Sequence, residues 1–143
     1  MAAKTSKKKP GKKVKPSRPA TAVLWGLDPS SERGAAVTGV LHEVGATVRV
    51  ASEAQLGLPA GLAARAGAGV AGPAYDGPVP SCEFVLLCGF TNAQVNDYLA
   101  KSRERGCSVG AKALLTPANK NWPLGRLIGA VAAEHEAMTN GEG

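Results

Sequence analysis

"EFVLLCGFTNAQVNDYLAKSRERGCSVGAKALLT", Glu83 to Thr116, carries the fold in miniature. Glu83 to Phe90 is an apolar run of strand length, rich in residues that suit a pleated surface. Thr91 or Asn92 then offers a side-chain oxygen to cap a helix. Val95, Tyr98, Leu99 and Ser102 recur at three and four, so Thr91 to Gly106 reads as a helix with one inward stripe, ended by Gly106. Cys107 to Thr116 closes the unit as a second strand.

The plan occurs earlier as well. Thr21 to Leu27 reads as a short buried strand. Asp28 to Gly45 reads as a helix whose Ala36, Val37, Val40, Leu41 and Val44 share a face, with Gly45 just past its end. Ala46 to Ser52 alternates Ala46, Val48 and Val50 against Thr47 and Arg49, as a half-buried strand does. Val23, Leu24, Gly26 and Leu27 correspond in pattern to Val85, Leu86, Gly89 and Phe90, and Gly45 to Gly106, which suggests duplication. Strand-helix-strand twice over predicts an α+β domain with a ferredoxin-like split βαβ sheet of four strands and an extra C-terminal helix. An open, doubly wound parallel sheet is the competing arrangement.

Between the units, Glu53 to Cys82 is rich in Gly, Pro and Ala, and predicts an irregular connection with a helix fragment broken at Pro59 and Gly61. A connection of that length is either a lid or a tolerated insertion. Trp122 to Met138 is the clearest helix. Leu124, Leu127, Ile128, Val131, His135 and Met138 fall on one face, Asn121 suits the N-cap, and Pro123 suits a first turn. His135 on that stripe predicts a packed histidine.

The 143 residues suffice for one domain with a real core, spanning 21–143. No apolar run approaches the roughly 20 residues a membrane helix needs. No apolar stretch follows the charged start as a secretory signal would require, so a cytoplasmic protein is expected. The net charge of +6 is uneven: residues 1–20 hold eight of the 17 Lys and Arg and no acid, leaving nine bases against 11 acids in the rest. That Lys-rich tail, punctuated by Pro10, Gly11, Pro16 and Pro19, has too little apolar surface to offset its ordering entropy and reads as disordered. Lys7, Lys8, Lys9, Lys12, Lys13 and Lys15 are its candidate nucleic-acid contacts. Without interleaved aromatics, such binding would be sequence-blind and salt-sensitive.

Cys82, Cys88 and Cys107 have neither redox nor zinc spacing and predict reduced thiols buried on strands. No phosphate-loop, dinucleotide, zincin or nucleophile-elbow pattern occurs. "GAGVAG", Gly67 to Gly72, lacks both a following Lys and a preceding strand. No nucleophile–base pair or metal cluster can be assembled, and no cofactor is implied. An enzyme therefore ranks below a binding protein.

The twelve residues "ALLTPANKNWPL", Ala113 to Leu124, concentrate polar side chains between the last strand and the last helix. On the strand, Val109, Ala111, Ala113 and Leu115 share one side, which predicts Lys112 on the face away from the first two helices. The free N–H groups of the last helix, together with Lys112 and Lys120, would there hold an anion. Lys112, Thr116, Asn119, Lys120, Asn121 and Trp122 form the candidate ligand site.

From Glu83 to Met138 the chain resembles the bacterial domain of unknown function 3783 family. The resemblance rests on Gly89-Phe90, Lys112-Ala113, Leu115-Thr116-Pro117, Asn119, Asn121-Trp122, Leu124, Leu127 and Glu134-His135. Ala118 and Pro123 stand where small hydroxylated residues are expected, and Lys120 where Arg is, so the resemblance implies no hydroxyl chemistry at 118 or 123. It implies kinship and no activity. The sequence thus predicts a small bacterial domain that binds a ligand or partner without catalysis. The alternative is a nucleic-acid- or ribosome-associated accessory protein acting through its tail. An exposed sheet edge would permit a homo-oligomer.

Overall fold

The computed structural model describes residues 20–66 and 69–142. The Lys-rich segment 1–19, with the six candidate nucleic-acid contacts, lies outside them. Four strands and four helices follow in the order β1 (Thr21–Trp25), α1 (Glu32–Glu43), β2 (Thr47–Val50), α2 (Ala60–Ala63), β3 (Phe84–Cys88), α3 (Asn92–Glu104), β4 (Ala111–Leu114) and α4 (Leu124–Glu142). A single 3₁₀ turn, Glu53–Gln55, precedes α2.

The predicted α+β class holds, with a mixed, open sheet, but the ferredoxin-like order does not. The strands lie β2-β1-β3-β4. β1 and β2 are parallel, β3 and β4 are parallel, and the two pairs join through antiparallel β1 and β3. A ferredoxin-like fold would interleave the two units; here each helix returns the chain to the position beside its own first strand. Helices on both faces explain the difference. α1 and α3 cover Ala22, Leu24, Val85 and Leu87 on one face. α2 and α4 cover Val23, Phe84, Leu86 and Cys88 on the other. The central strands are buried on both sides, so they read as continuous apolar runs, "AVL" and "FVLLC".

The units are related by a pseudo-twofold through the central pair Val23 and Leu86. Gly26 and Gly89 leave β1 and β3 with the same φ of 73°, a left-handed conformation suited to glycine. Ser31 caps α1 by accepting from the Gly34 N–H at 3.0 Å, and Thr91 caps α3 by accepting from the Gln94 N–H at 3.1 Å. Gly45 and Gly106, also at positive φ, end those helices. Two bidentate ion pairs tie the units together: Arg33 to Glu83 at 2.6 and 2.7 Å, and Arg105 to Glu43 at 2.6 and 2.7 Å. All four side chains are part-exposed, so these pairs set orientation more than stability.

The connection differs from expectation at its start. Pro59 does not break a helix; it precedes α2, where its fixed φ suits a helix entrance. α1 begins at Glu32 rather than Asp28, because Ser31 is its cap. Cys88 is the only one of the three thiols on a strand; Cys107 is buried ahead of β4 and Cys82 is half-buried ahead of β3.

Candidate functional site

The polar corner after β4 has a counterpart after β2. Thr116 N–H donates to Asn119 Oδ1 at 2.9 Å, and Ser52 N–H donates to Gln55 Oε1 at 3.2 Å. Asn119 also donates through Nδ2 to the Leu114 carbonyl at 3.1 Å, as Gln55 does through Nε2 to the Val70 carbonyl at 2.8 Å. Thr116 and Asn119 are thus turn-makers whose polar groups serve the backbone. The two corners meet at an isolated antiparallel bridge between Pro59 and Pro123. Ala60 and Gly61 N–H groups donate to the carbonyls of Trp122 and Lys120 at 2.8 and 2.9 Å. In return, Leu124 and Gly125 donate to those of Leu58 and Leu56 at 2.8 and 2.9 Å.

That exchange uses N–H groups of α4 that sequence reasoning reserved for an anion. Each helix start is satisfied by the other unit instead. Asn121 is exposed, and Trp122 is half-buried with the Arg126 guanidinium 4.4 Å over its ring. Lys112 lies on the other face from the one predicted. It pairs in register with Val85, which faces α1 and α3, and its Nζ donates to the Val109 carbonyl at 2.7 Å. Partial burial lowers its ammonium pKa. Lys112 and Lys120 therefore do not come together. His135 is exposed rather than in the core, but its ring packs over Gly110 at the rim of the helix.

Lys120 does reach a cavity. An open cleft of about 500 Å³ lies where β1 and β2 begin and β3 and β4 end. Thr21, Thr47, Arg49, Arg65, Cys88, Gly89 and Leu115 line it with Lys120, and Gly61 and Ala64 of the α2 region complete the wall. The lining holds three cations and no acid. Arg49 stands opposite Val23 in the register, on the face that α2 and α4 cover. Its Nη1 donates to the Ala66 carbonyl at 3.0 Å, and its Nε is buried without a hydrogen-bond partner. A buried unpaired guanidinium nitrogen is costly. Burial pushes the Cys88 thiol up to about 12, so it stays protonated at neutral pH.

Sequence reasoning missed Arg49 and Arg65. Alternation sets Arg49 on the polar side of a half-buried strand; a second helical layer turns that side into the wall of a cleft. Arg65 ends the stretch expected to hold a helix fragment, but nothing in its spacing aims it at the strand ends. Among the described residues, no cluster of three or more metal-ligating side chains exists, and no helix is long and apolar enough to cross a membrane.

No curated protein and no solved structure matches the chain. One family model does, and it matches the second unit with its helix: residues 83–138, β3 through most of α4, are similar to the family described as Domain of unknown function (DUF3783).

Proposed function

We propose that this domain is a binding module, not a catalyst, and that it takes a phosphate- or carboxylate-bearing ligand in the cleft formed by Arg49, Arg65 and Lys120. One observation carries the reading: three cations line one concavity with no acid among them. The volume suits a small molecule or one residue of a larger one. Apolar Ala64 and Leu115 give its body a surface to rest on. No carboxylate or imidazole lines the cleft to act as a base, and the Cys88 thiol is held un-ionised, which favours binding over chemistry. Free Cys82, Cys88 and Cys107 fit a reducing, cytoplasmic setting.

Thermal unfolding of the full chain in inorganic phosphate, pyrophosphate and adenosine monophosphate tests this. The expected result is a rise in Tm that grows with ligand concentration and disappears in Arg49→Ala and in Lys120→Ala. A rise of equal size in both variants would overturn the assignment.

A further inference from the structure

We infer that the anion this cleft receives is the phosphodiester backbone of a single-stranded nucleic acid, guided there by the Lys-rich segment that enters the fold at the cleft wall. The inference rests on the binding reading above and names the ligand class for the same site.

Charge bookkeeping supports it. Residues 21–143 contain nine Lys and Arg. Arg33, Lys101 and Arg105 pair with acids, Lys112 folds back on a carbonyl, and Arg126 lies on Trp122. Of the remaining four, Arg49, Arg65 and Lys120 line the cleft, and only Arg103 lies elsewhere. The opposite end of the sheet carries Glu53 and Glu136 on its surface concavities, with Glu83 taken up by Arg33. Among the described residues, three of the four cations left over thus gather at one end of the strands.

The most basic stretch of the sequence is joined covalently to β1 at the same end. Thr21, the first residue of β1, lines the cleft, and Arg18 precedes it by three residues. Eight cations and no acid occupy residues 1–20. A small monoanion needs no such reservoir, whereas a polyanion gains from each phosphate neutralised through released counterions. The cleft is nucleotide-sized, far smaller than the width of a duplex, so a single strand suits it better. No aromatic side chain lines it, which predicts indifference to base identity.

The test uses the full chain and a labelled homopyrimidine oligonucleotide, with binding followed across a salt series. Mononucleotide and inorganic phosphate thermal shifts run beside it. The expected result is steep salt dependence. In the triple variant Arg49→Ala, Arg65→Ala and Lys120→Ala, affinity falls at least tenfold and the log–log salt slope falls by about 2, as expected for three lost phosphate contacts to a single strand. Because Arg49 is half-buried, Arg65→Glu with Lys120→Glu, both at exposed positions, provides a second test and should weaken binding at least as much. Oligonucleotide binding unchanged in both variants would overturn the inference by confining recognition to residues 1–20. Mononucleotide binding as tight as oligonucleotide binding, lost in the variants, would overturn it while leaving the small-ligand cleft standing. No binding of any of these probes would overturn both.

Discussion

The two ends of the sheet are built from the same parts and finished differently. At the open end, Arg49, Arg65 and Lys120 surround the cleft. Their equivalents under the pseudo-twofold are Ala113, Gly129 and Leu56, two small residues and one fully apolar. There the chain from Pro73 to Cys82 lies across the surface. Tyr75 packs over Gly125, where a Cβ would come within 2.6 Å of its ring, and Trp25 Nε1 donates to the Pro80 carbonyl at 3.1 Å. Trp25 fills the position that Cys88 holds at the open end. The lining positions that carry Arg49, Arg65 and Lys120 at one end thus carry small or apolar residues at the other, where the 73–82 segment packs over them.

The strongest way to probe that contrast is to add one methyl group at each end. A Cβ on Gly57 would lie 1.9 Å from the Pro73 carbonyl oxygen, whereas one on Gly61 would meet nothing nearer than 3.4 Å. Gly57→Ala should therefore destabilise the domain by at least about 2 kcal/mol, the scale of overpacking. Gly61→Ala, within α2, should change stability by under about 1 kcal/mol in either direction, since alanine also favours helix. Chemical denaturation of both variants decides the matter. Comparable losses would mean that the open end is as tightly closed as the other.

The paired corners give a smaller contrast. Gln55 is 4% exposed and Asn119 is half-exposed, yet both hold equivalent turns. Gln55→Ala should cost about 2 kcal/mol, because it removes a buried side chain that holds the Ser52 N–H and the Val70 carbonyl together across the loop. Asn119→Ala should cost roughly half as much, since water can replace part of what is lost. Equal costs in urea titrations would show that burial does not distinguish the two corners.

Least in size at neutral pH is the effect of Tyr98, whose fully buried hydroxyl has no hydrogen-bond partner. Burial raises its pKa from 10.0 to about 12, so the folded chain holds a proton that the unfolded chain releases first. Stability is then fully present below about pH 10 and is lost as pH rises toward 12; Cys88 adds loss of the same sign beginning near pH 9. Tyr98→Phe should be neutral to slightly stabilising at pH 7 and should flatten the alkaline limb above pH 10. An alkaline limb of unaltered steepness would assign the loss to other groups. Tyr98 lies in the α1–α3 layer, so the effect should be blind to cleft ligands.

Much of this architecture could be read from the chain. The caps Ser31 and Thr91 use the short polar side chains that helix starts favour, and Gly45 and Gly106 mark helix ends because they adopt positive φ there. Strand order was not readable from the repeat alone. The continuous apolar runs of β1 and β3 imply cover on both faces, but that cover comes from α2, four residues long, and from α4, which joins it only through long-range contacts. Misplacing the second layer misplaced Lys112 as well, because the face of an edge-strand residue is defined by what covers it. Lys120 was within reach of sequence reasoning as a cation in a polar corner. Its neighbours in the cleft were not, since Arg49 and Arg65 belong to the other unit.

The exchange of carbonyls at the Pro59–Pro123 bridge bears on how the chain folds. The first N–H groups of α2 and α4 find acceptors only across the junction, so neither helix can be completed while its counterpart is unformed. Contacts that link distant stretches of chain arrive late, after the cost of loop closure is met. The two halves should consequently order in a single concerted step, with no long-lived species in which one half is native and the other is not. Lys120 and α2 would reach their final spacing only at the end of that step, when the last carbonyls are taken.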